Sequence, residues 1–514
     1  MTIEVTDSEM SPRHGRVSAQ TREPVRLSAA TLTEIPSSVA VPGYDRATVR
    51  TGIVHLGVGG FHRAHQAMYL DALMNLGQAM TWGICGVGVL ESDGTMAQVM
   101  REQDCLYTLL VRHPDGHVEP RVIGSILEYL FAPDDPMAVV ERMADPNVRI
   151  VSLTVTEGGY NFNHVTGAFE VDDPEIVGDL ADESCPRTIF GLVTAALAIR
   201  RDRGIEPFTV MSCDNIPGNG TIARTMFSTF ARLRDPELGE FVASEVAFPN
   251  SMVDRITPAT TDFDRAELSE TFGVVDRWPV SCEPFSQWVL QDAFGHDRPP
   301  LQDVGVMTVE DVEPYELMKL RLLNCSHQAL AYLGYLAGYR WVHDAAADPV
   351  FVDFLLQFMV HEATPTLPFV PGIDLDAYCH QLIERFANPG VHDKLSRLCE
   401  QTSDRIPNWL VPLVRDQLAR GGEILRSATI VASWARYAEG VDEQREPITI
   451  VDRLAEQLTA NARRYDSDPD AFVTDPSLFG DLSDDPRFMG AYRCALDSLH
   501  RNGARATLQA LADR

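Results

Sequence analysis

The first strong apolar run in the chain is Ile53-Val54-His55-Leu56, closed by Gly57-Val58-Gly59-Gly60. Behind it Ala64, Ala67, Met68, Leu70, Leu73 and Met74 recur at the spacing of one helical face. Trp82 to Val89 reads as a second strand. Strand, glycine turn, helix and strand in that order form a βαβ unit, which implies a parallel sheet. Two later runs have the length and composition of buried strands. Arg149 to Thr156 ends at Glu157-Gly158-Gly159, and Phe208 to Cys213 ends at Asp214-Asn215-Ile216-Pro217-Gly218-Asn219. Thr188 to Arg200, between them, reads as an amphipathic helix. Ligands of doubly wound sheets sit beyond the carboxyl ends of the strands, so Glu157, Asp214 and Asn215 are placed to reach one.

The pattern changes after about Val304. Helical periodicity dominates from there, over 314–337, 348–362, 374–387, 391–401, 407–420 and 423–438. The chain therefore divides into three parts. Residues 1–45, charged and interrupted by Pro12, Pro24, Pro36 and Pro42, form an extension. Residues 46–308 form a doubly wound α/β domain and residues 309–514 a mostly helical one, with the active site in the cleft between them.

Composition narrows the function. The 514 residues are 45% hydrophobic, too many for a disordered chain. Lys and Arg number 43 against 74 Asp and Glu, a net charge of −31, which argues against nucleic acid and against a polybasic membrane anchor. No stretch approaches the ~18 consecutive apolar residues that span a bilayer. Nine cysteines without a CxxC pair fit reduced thiols rather than a disulfide framework or zinc site, so the expected address is the cytoplasm.

Two segments carry chemistry. Gly57-Val58-Gly59-Gly60-Phe61-His62-Arg63 is a GxGxx turn with His62 where the dinucleotide fingerprint has its third glycine. Its glycines allow the backbone to approach a pyrophosphate at a helix N-terminus, although an ordinary βα turn has the same form. A second GxG, Gly86-Val87-Gly88, lacks an equally clear helix start. Glu91 and Asp93 follow the second strand, where an acidic residue binds ribose hydroxyls, and no Arg or Lys lies between Gly88 and Met100 to receive a 2′-phosphate. NAD is favoured over NADP.

The other segment is Glu313 to Gln328, which opens with an acidic residue and then Pro314. On a regular helix Lys319, Glu316, His327 and Asn324 fall near 0°, 60°, 80° and 140°, an arc of roughly 140°. Leucines on other sides imply that the helix is buried. A lysine there loses hydration and becomes a general base near neutral pH. Singly, each residue reads equally well as structural: a snorkelling lysine, or a satisfied polar group. Together, facing a nucleotide turn, they fit alcohol oxidation in which a base takes the hydroxyl proton and amides stabilise the alkoxide.

These residues resemble the polyol-specific long-chain dehydrogenases and reductases, most closely the mannitol branch. The stretches that carry the resemblance are 53–65, 156–160, 212–220, 248–258 and the lysine helix 315–327, within a match over roughly residues 50–460. Arg385-Phe386-Ala387-Asn388-Pro389 and Ile406 to Pro412 also look like the mannitol enzymes. The resemblance implies a Rossmann-type domain followed by a helical one, and metal-independent, reversible oxidation of D-mannitol at C2 to D-fructose with NAD. It implies Lys319 as general base, Asn215 and Asn324 as the oxyanion hole, and His327 as substrate-orienting. Asp254 and Arg397 become polyol contacts, and Glu316 a carboxylate gating proton exit. Gly57 to Arg63, Asp93 and Glu157 become cofactor contacts, and Arg405 stands where the family carries a lysine. A monomer is expected. Fructuronate or tagaturonate reduction, or oxidation of arabinitol or sorbitol, is the alternative activity. A nucleotide-binding regulator without turnover is the non-enzymatic one.

Overall fold

The computed structural model describes residues 23–162 and 168–512. At its centre are five strands: β1 (Thr51–Leu56), β2 (Gly83–Gly88), β3 (Ile126–Phe131), β4 (Ile150–Leu153) and β5 (Thr209–Ser212). They lie in the order β3-β2-β1-β4-β5, with every pairing parallel. The order reverses between β1 and β4, which opens a crevice at their carboxyl ends. Alternation along the strands explains the two layers. Ile53, Ile84 and Ile150 enter one apolar core, and Val54, Cys85 and Val151, one residue on, enter the other. Both faces are covered, as parallel sheets require.

Several expectations are refined. The helix behind the glycine turn is two helices, Gly60–Ala64 and Gln66–Asn75, broken at His65. The His65 ring packs on Phe61 and Trp288 and bonds the Gln287 carbonyl at 3.1 Å, which fixes the bend. The helix Ile189–Arg203 is not amphipathic in place: every side chain from Ile189 to Leu197 is buried. The helices Pro136–Ala144, Pro174–Ala181 and Asn219–Arg234 flank it. The segment 1–45 is only in part an extension. Residues 1–22 lie outside the described residues, but Val25–Arg26 pair in parallel with Val274–Val275. Leu27 and Val39 share a small core with Leu106 and Leu110.

The α/β half also holds strands that periodicity did not reveal. Tyr107–Arg112 and Val118–Ile123 form a hairpin with Val280–Cys282 alongside. β6 (Ser251–Asp254) pairs antiparallel with Gln287–Gln291, which in turn pairs with Met307–Val309. The chain then enters the helical half at Glu313. There the expected helix over 391–401 shrinks to Leu395–Leu398, because His392 (φ 52°) and Gln401 (φ 49°) take left-handed conformations. The helix expected from Pro407 begins at Thr402 and carries Pro407 and Pro412 inside it. Asp452 sets that start from outside the segment, accepting Ser403 N–H at 2.8 Å and its hydroxyl at 2.6 Å. Among the described residues no helix is long and apolar enough to cross a membrane.

β5 is joined to β6 through Asn219, whose side chain donates to the Asp214 and Ser251 carbonyls and accepts from Ser251 N–H. This brings Gly220 so close that a Cβ would stand 2.5 Å from the Pro249 carbonyl oxygen. Gly220→Ala is therefore expected to lower unfolding stability by roughly 1–3 kcal/mol, read from the urea midpoint. An unchanged midpoint would mean that the 249 segment yields freely.

Candidate active site

A cavity of about 440 Å³ opens between the glycine turn, the end of β5 and the helical half. On the first wall, Gly57 adopts φ +91° and a Cβ there would meet the Thr154 carbonyl oxygen at 2.2 Å. Only glycine fits that turn. Beyond Gly59 the space is open, with nothing within 4 Å of its Cβ position, so a ligand can approach the backbone. Gly59, Gly60, Phe61 and His62 line the cavity. His62 stacks on His55 at 3.4 Å between centroids, and burial holds both rings neutral.

Two residues expected at the cofactor also bond the protein's own backbone. Arg63 is buried and reaches back to the Gly59 carbonyl (3.3 Å) and the Trp278 carbonyl (2.6 Å), so it braces the turn from inside. Asp93 accepts the Val89 and Leu90 N–H groups at 2.9 and 3.0 Å, which shapes the loop after β2 and leaves its carboxylate half-buried there. Asp214 likewise is a brace. It accepts Val155 and Thr156 N–H at 3.1 and 2.8 Å and the Tyr160 hydroxyl at 2.8 Å, tying the ends of β4 and β5 together. Thr156, held this way, lines the cavity with φ 64° and ψ 169°, a backbone state that non-glycine residues rarely occupy. The Glu157 side chain lies outside the described residues.

The lysine helix departs from regularity at the site. Glu313–Met318 and Cys325–Leu336 are α-helical, but Lys319–Asn324 forms a π-helical turn, with Cys325 N–H bonded to the Leu320 carbonyl. The extra residue turns everything after it back by about 100°, so Glu316, Lys319, Asn324 and His327 occupy an arc of about 80° rather than about 140°. The four residues are thereby brought onto one face, and Lys319, Asn324 and His327 line the cavity. Lys319 Nζ donates to Asn215 Oδ1 at 2.7 Å and to the Val253 carbonyl at 2.5 Å, linking the helical half to both β5 and β6. His327 packs on Phe386, and burial lowers its pKa to about 3, so it is neutral at working pH.

At the far end of the cavity, Arg397 forms a bidentate pair with Asp393 (2.7 and 2.6 Å), and its side chain is 44% exposed. Arg405 lies near the Trp409 ring and donates to the Leu398 carbonyl at 3.2 Å. Asp254 also lines the cavity, but both its oxygens accept from Arg385, at 2.8 and 2.9 Å. Spacing gave no signal for that partner, because the two lie 131 positions apart. Among the described residues no group of three or more His, Cys, Asp or Glu side chains could hold a metal ion.

The comparisons fall on this architecture. Residues 51–303 match the mannitol dehydrogenase Rossmann domain and residues 311–500 the mannitol dehydrogenase C-terminal domain. The chain belongs to the mannitol dehydrogenase family. It is 46% identical over 496 residues to a mannitol 2-dehydrogenase of Aspergillus fumigatus, covering 94% of this chain and 99% of that one. A Pseudomonas fluorescens mannitol 2-dehydrogenase, solved as a ternary complex with NAD and D-mannitol, superposes with TM-score 0.89 at 44% identity, over 95% of this chain and all (100%) of that one. A D-sorbitol dehydrogenase in substrate-free form follows at TM-score 0.84 and 35% identity, covering 94% and 100% of the two chains.

Within this mannitol dehydrogenase fold Glu316 has an unusual environment. It is buried below Lys319, accepts Gly218 N–H at 3.3 and 3.1 Å, and borders a void of about 10 Å³ shared with Asn215 and Lys319. Burial, assisted by Glu313, raises its pKa from 4.5 to about 7 against the pull of Gly218 N–H and Lys319. A carboxyl with a raised folded-state pKa stabilises the fold while protonated, and that contribution disappears as pH rises through about 7. Compared with Glu316→Gln, the parent protein is expected to lose up to roughly 3 kcal/mol between about pH 4.5 and about pH 8. Urea midpoints at both pH values measure it, and parallel curves would refute the raised pKa.

Proposed function

We propose that the chain is an NAD-dependent polyol dehydrogenase that oxidises D-mannitol at C2 to D-fructose, reversibly, with Lys319 as general base. The observation that carries this reading is the Lys319 nitrogen, fixed by Asn215 and the Val253 carbonyl inside a cavity that begins at a dinucleotide-type glycine turn. A neutral amine has two N–H bonds, and these two acceptors can take them while the amine accepts the hydroxyl proton from the substrate. The amide N–H groups of Asn215 and Asn324 then stabilise the developing alkoxide. His327, kept neutral, retains one ring donor and one ring acceptor with which to orient a hydroxyl. Arg397 and Asp254 hold further hydroxyls. Glu316, behind the lysine, passes its proton outward.

The turn fits a dinucleotide: Gly57 makes the bend, Gly59 leaves the approach open, and the helix from Gly60 presents its N-terminus. Gly57 to His62 would hold the pyrophosphate and Asp93 the adenosine ribose, while Arg63 supports the turn from behind. NAD bound there supplies a hydride acceptor. The acid at Asp93 and the lack of Arg or Lys from 89 to 100 support NAD over NADP.

Arg405 favours a second reading, reduction of a keto sugar acid such as fructuronate, because it brings a guanidinium bonded to a carbonyl into the cavity wall. Absorbance at 340 nm separates the two readings: NADH oxidation with D-fructose is expected, whereas activity with D-fructuronate alone would move the substrate to the acid. Lys319→Ala is expected to reduce kcat by roughly 10²–10⁴-fold with NADH binding retained. An unchanged kcat would remove Lys319 from the chemistry.

A further inference from the structure

Beneath the cavity floor lies a buried charged unit that the proton-transfer chemistry does not use. Arg385 comes from the helix Leu375–Phe386, Asp254 from the end of β6, and Glu283 from the residue after the strand Val280–Cys282. Their side chains are 5%, 4% and 1% exposed, too enclosed for water to replace the contacts. Arg385 Nη1 and Nη2 donate to Asp254 at 2.8 and 2.9 Å, while Nε and Nη2 donate to Glu283 at 3.0 and 2.8 Å. The guanidinium also lies over the Phe285 ring, 3.9 Å from its centroid. Glu283 is itself anchored, accepting Ile256 N–H at 2.6 Å.

One carboxylate would suffice to neutralise the guanidinium. A second, gripping its other edge, fixes its plane and hence the plane of Asp254. Each carboxylate oxygen has two lone-pair sites, so the fork to Arg385 leaves Asp254 further acceptor capacity at the cavity wall. Burial alone would drive Asp254 towards protonation. The Arg385 charge and hydrogen bonds outweigh that, holding its pKa below the ordinary value, whereas Glu283 is raised by burial only partly offset by Arg385.

We propose that Arg385, itself held by Glu283, is a positioning residue that fixes the Asp254 carboxylate as an acceptor for a polyol hydroxyl. This rests on the reading of Asp254 as a polyol contact. A role as glue between the halves is the competing explanation, but the same segment has its own tie. Asn388 Nδ2 donates to the Arg112 carbonyl at 2.9 Å, two residues beyond the end of the Arg385 helix.

The test is steady-state kinetics of Arg385→Met, Arg385→Lys and Glu283→Gln with D-mannitol and NAD, alongside NADH titration and thermal melts. Arg385→Met is expected to raise the KM for mannitol by roughly 10- to 100-fold, the worth of a hydrogen bond to a charged group, with NADH affinity within about twofold of the parent. Arg385→Lys restores part of the loss, and Glu283→Gln shows a smaller rise of the same kind. A parental KM in Arg385→Met overturns the inference. So does a loss in which mannitol KM and NADH affinity worsen together, in step with melting temperature and without rescue by lysine. Should Arg385→Met fail to fold, Glu283→Gln decides by the same split. A parent protein inactive on every polyol defeats the functional reading itself, a result distinct from active parent and indifferent variants.

Discussion

The π-helical turn at Lys319–Asn324 sets the geometry on which the rest of the site depends. A regular helix would spread Glu316, Lys319, Asn324 and His327 over more than a third of its circumference, too wide for one small substrate. The extra residue rotates Asn324 and His327 back over Lys319. Such a turn loses ordinary i→i+4 bonding, so it persists only where its surroundings hold it. Here they do: every residue from Lys319 to Asn324 is buried, and the Lys319 ammonium or amine is anchored on two elements of the other half.

That anchorage explains how two structurally unlike halves form one cavity. Val253 and Asp254 end β6, and both are engaged from the helical side, Val253 by Lys319 and Asp254 by Arg385. The end of β5 is joined to the same wall through Asn215 and Asn219. A chain of −31 net charge thus gathers cationic side chains of its helical half at and behind one cavity, where Lys319 and Arg385 meet the Val253 carbonyl and Asp254 of the α/β half, while Arg397 and Arg405 meet Asp393 and the Leu398 carbonyl of their own. Overall charge says little about such a place, because contacts within a few ångströms outweigh a distant field screened by water and salt.

Much of this was legible in the sequence because local rules governed it. Apolar runs followed by glycine turns marked β1, β4 and β5, and the helical half announced itself by period. What escaped was set by distant partners. The Thr402 helix start depends on Asp452, and the break at His65 depends on Gln287 and Trp288. The hairpin Tyr107–Ile123 takes its third strand from Val280–Cys282, far along the chain. The candidate residues divide likewise. Lys319, Asn215, Asn324 and His327 were found by spacing and resemblance together, and they meet at the cavity. Arg385 and Glu283 could not be found by spacing, since an ion pair across more than a hundred positions leaves no periodic trace.

The sharpest distinction lies between groups that face the cavity and groups adjacent in sequence that build it. Arg63 follows the glycine turn, yet it spends its hydrogen bonds on backbone within the protein. Asp214, next to Asn215, uses its carboxylate to stitch two strand ends. Buried charge is costly unless fully partnered, so a carboxylate or guanidinium near a ligand is stable only if protein groups supply most of its contacts. A site that must bind and release a neutral polyol can therefore leave amide and imidazole groups facing the substrate with few partners, but not ions. Asp254, held on both oxygens, satisfies that constraint while still presenting an edge to the cavity. Arg397, answered by Asp393, does the same.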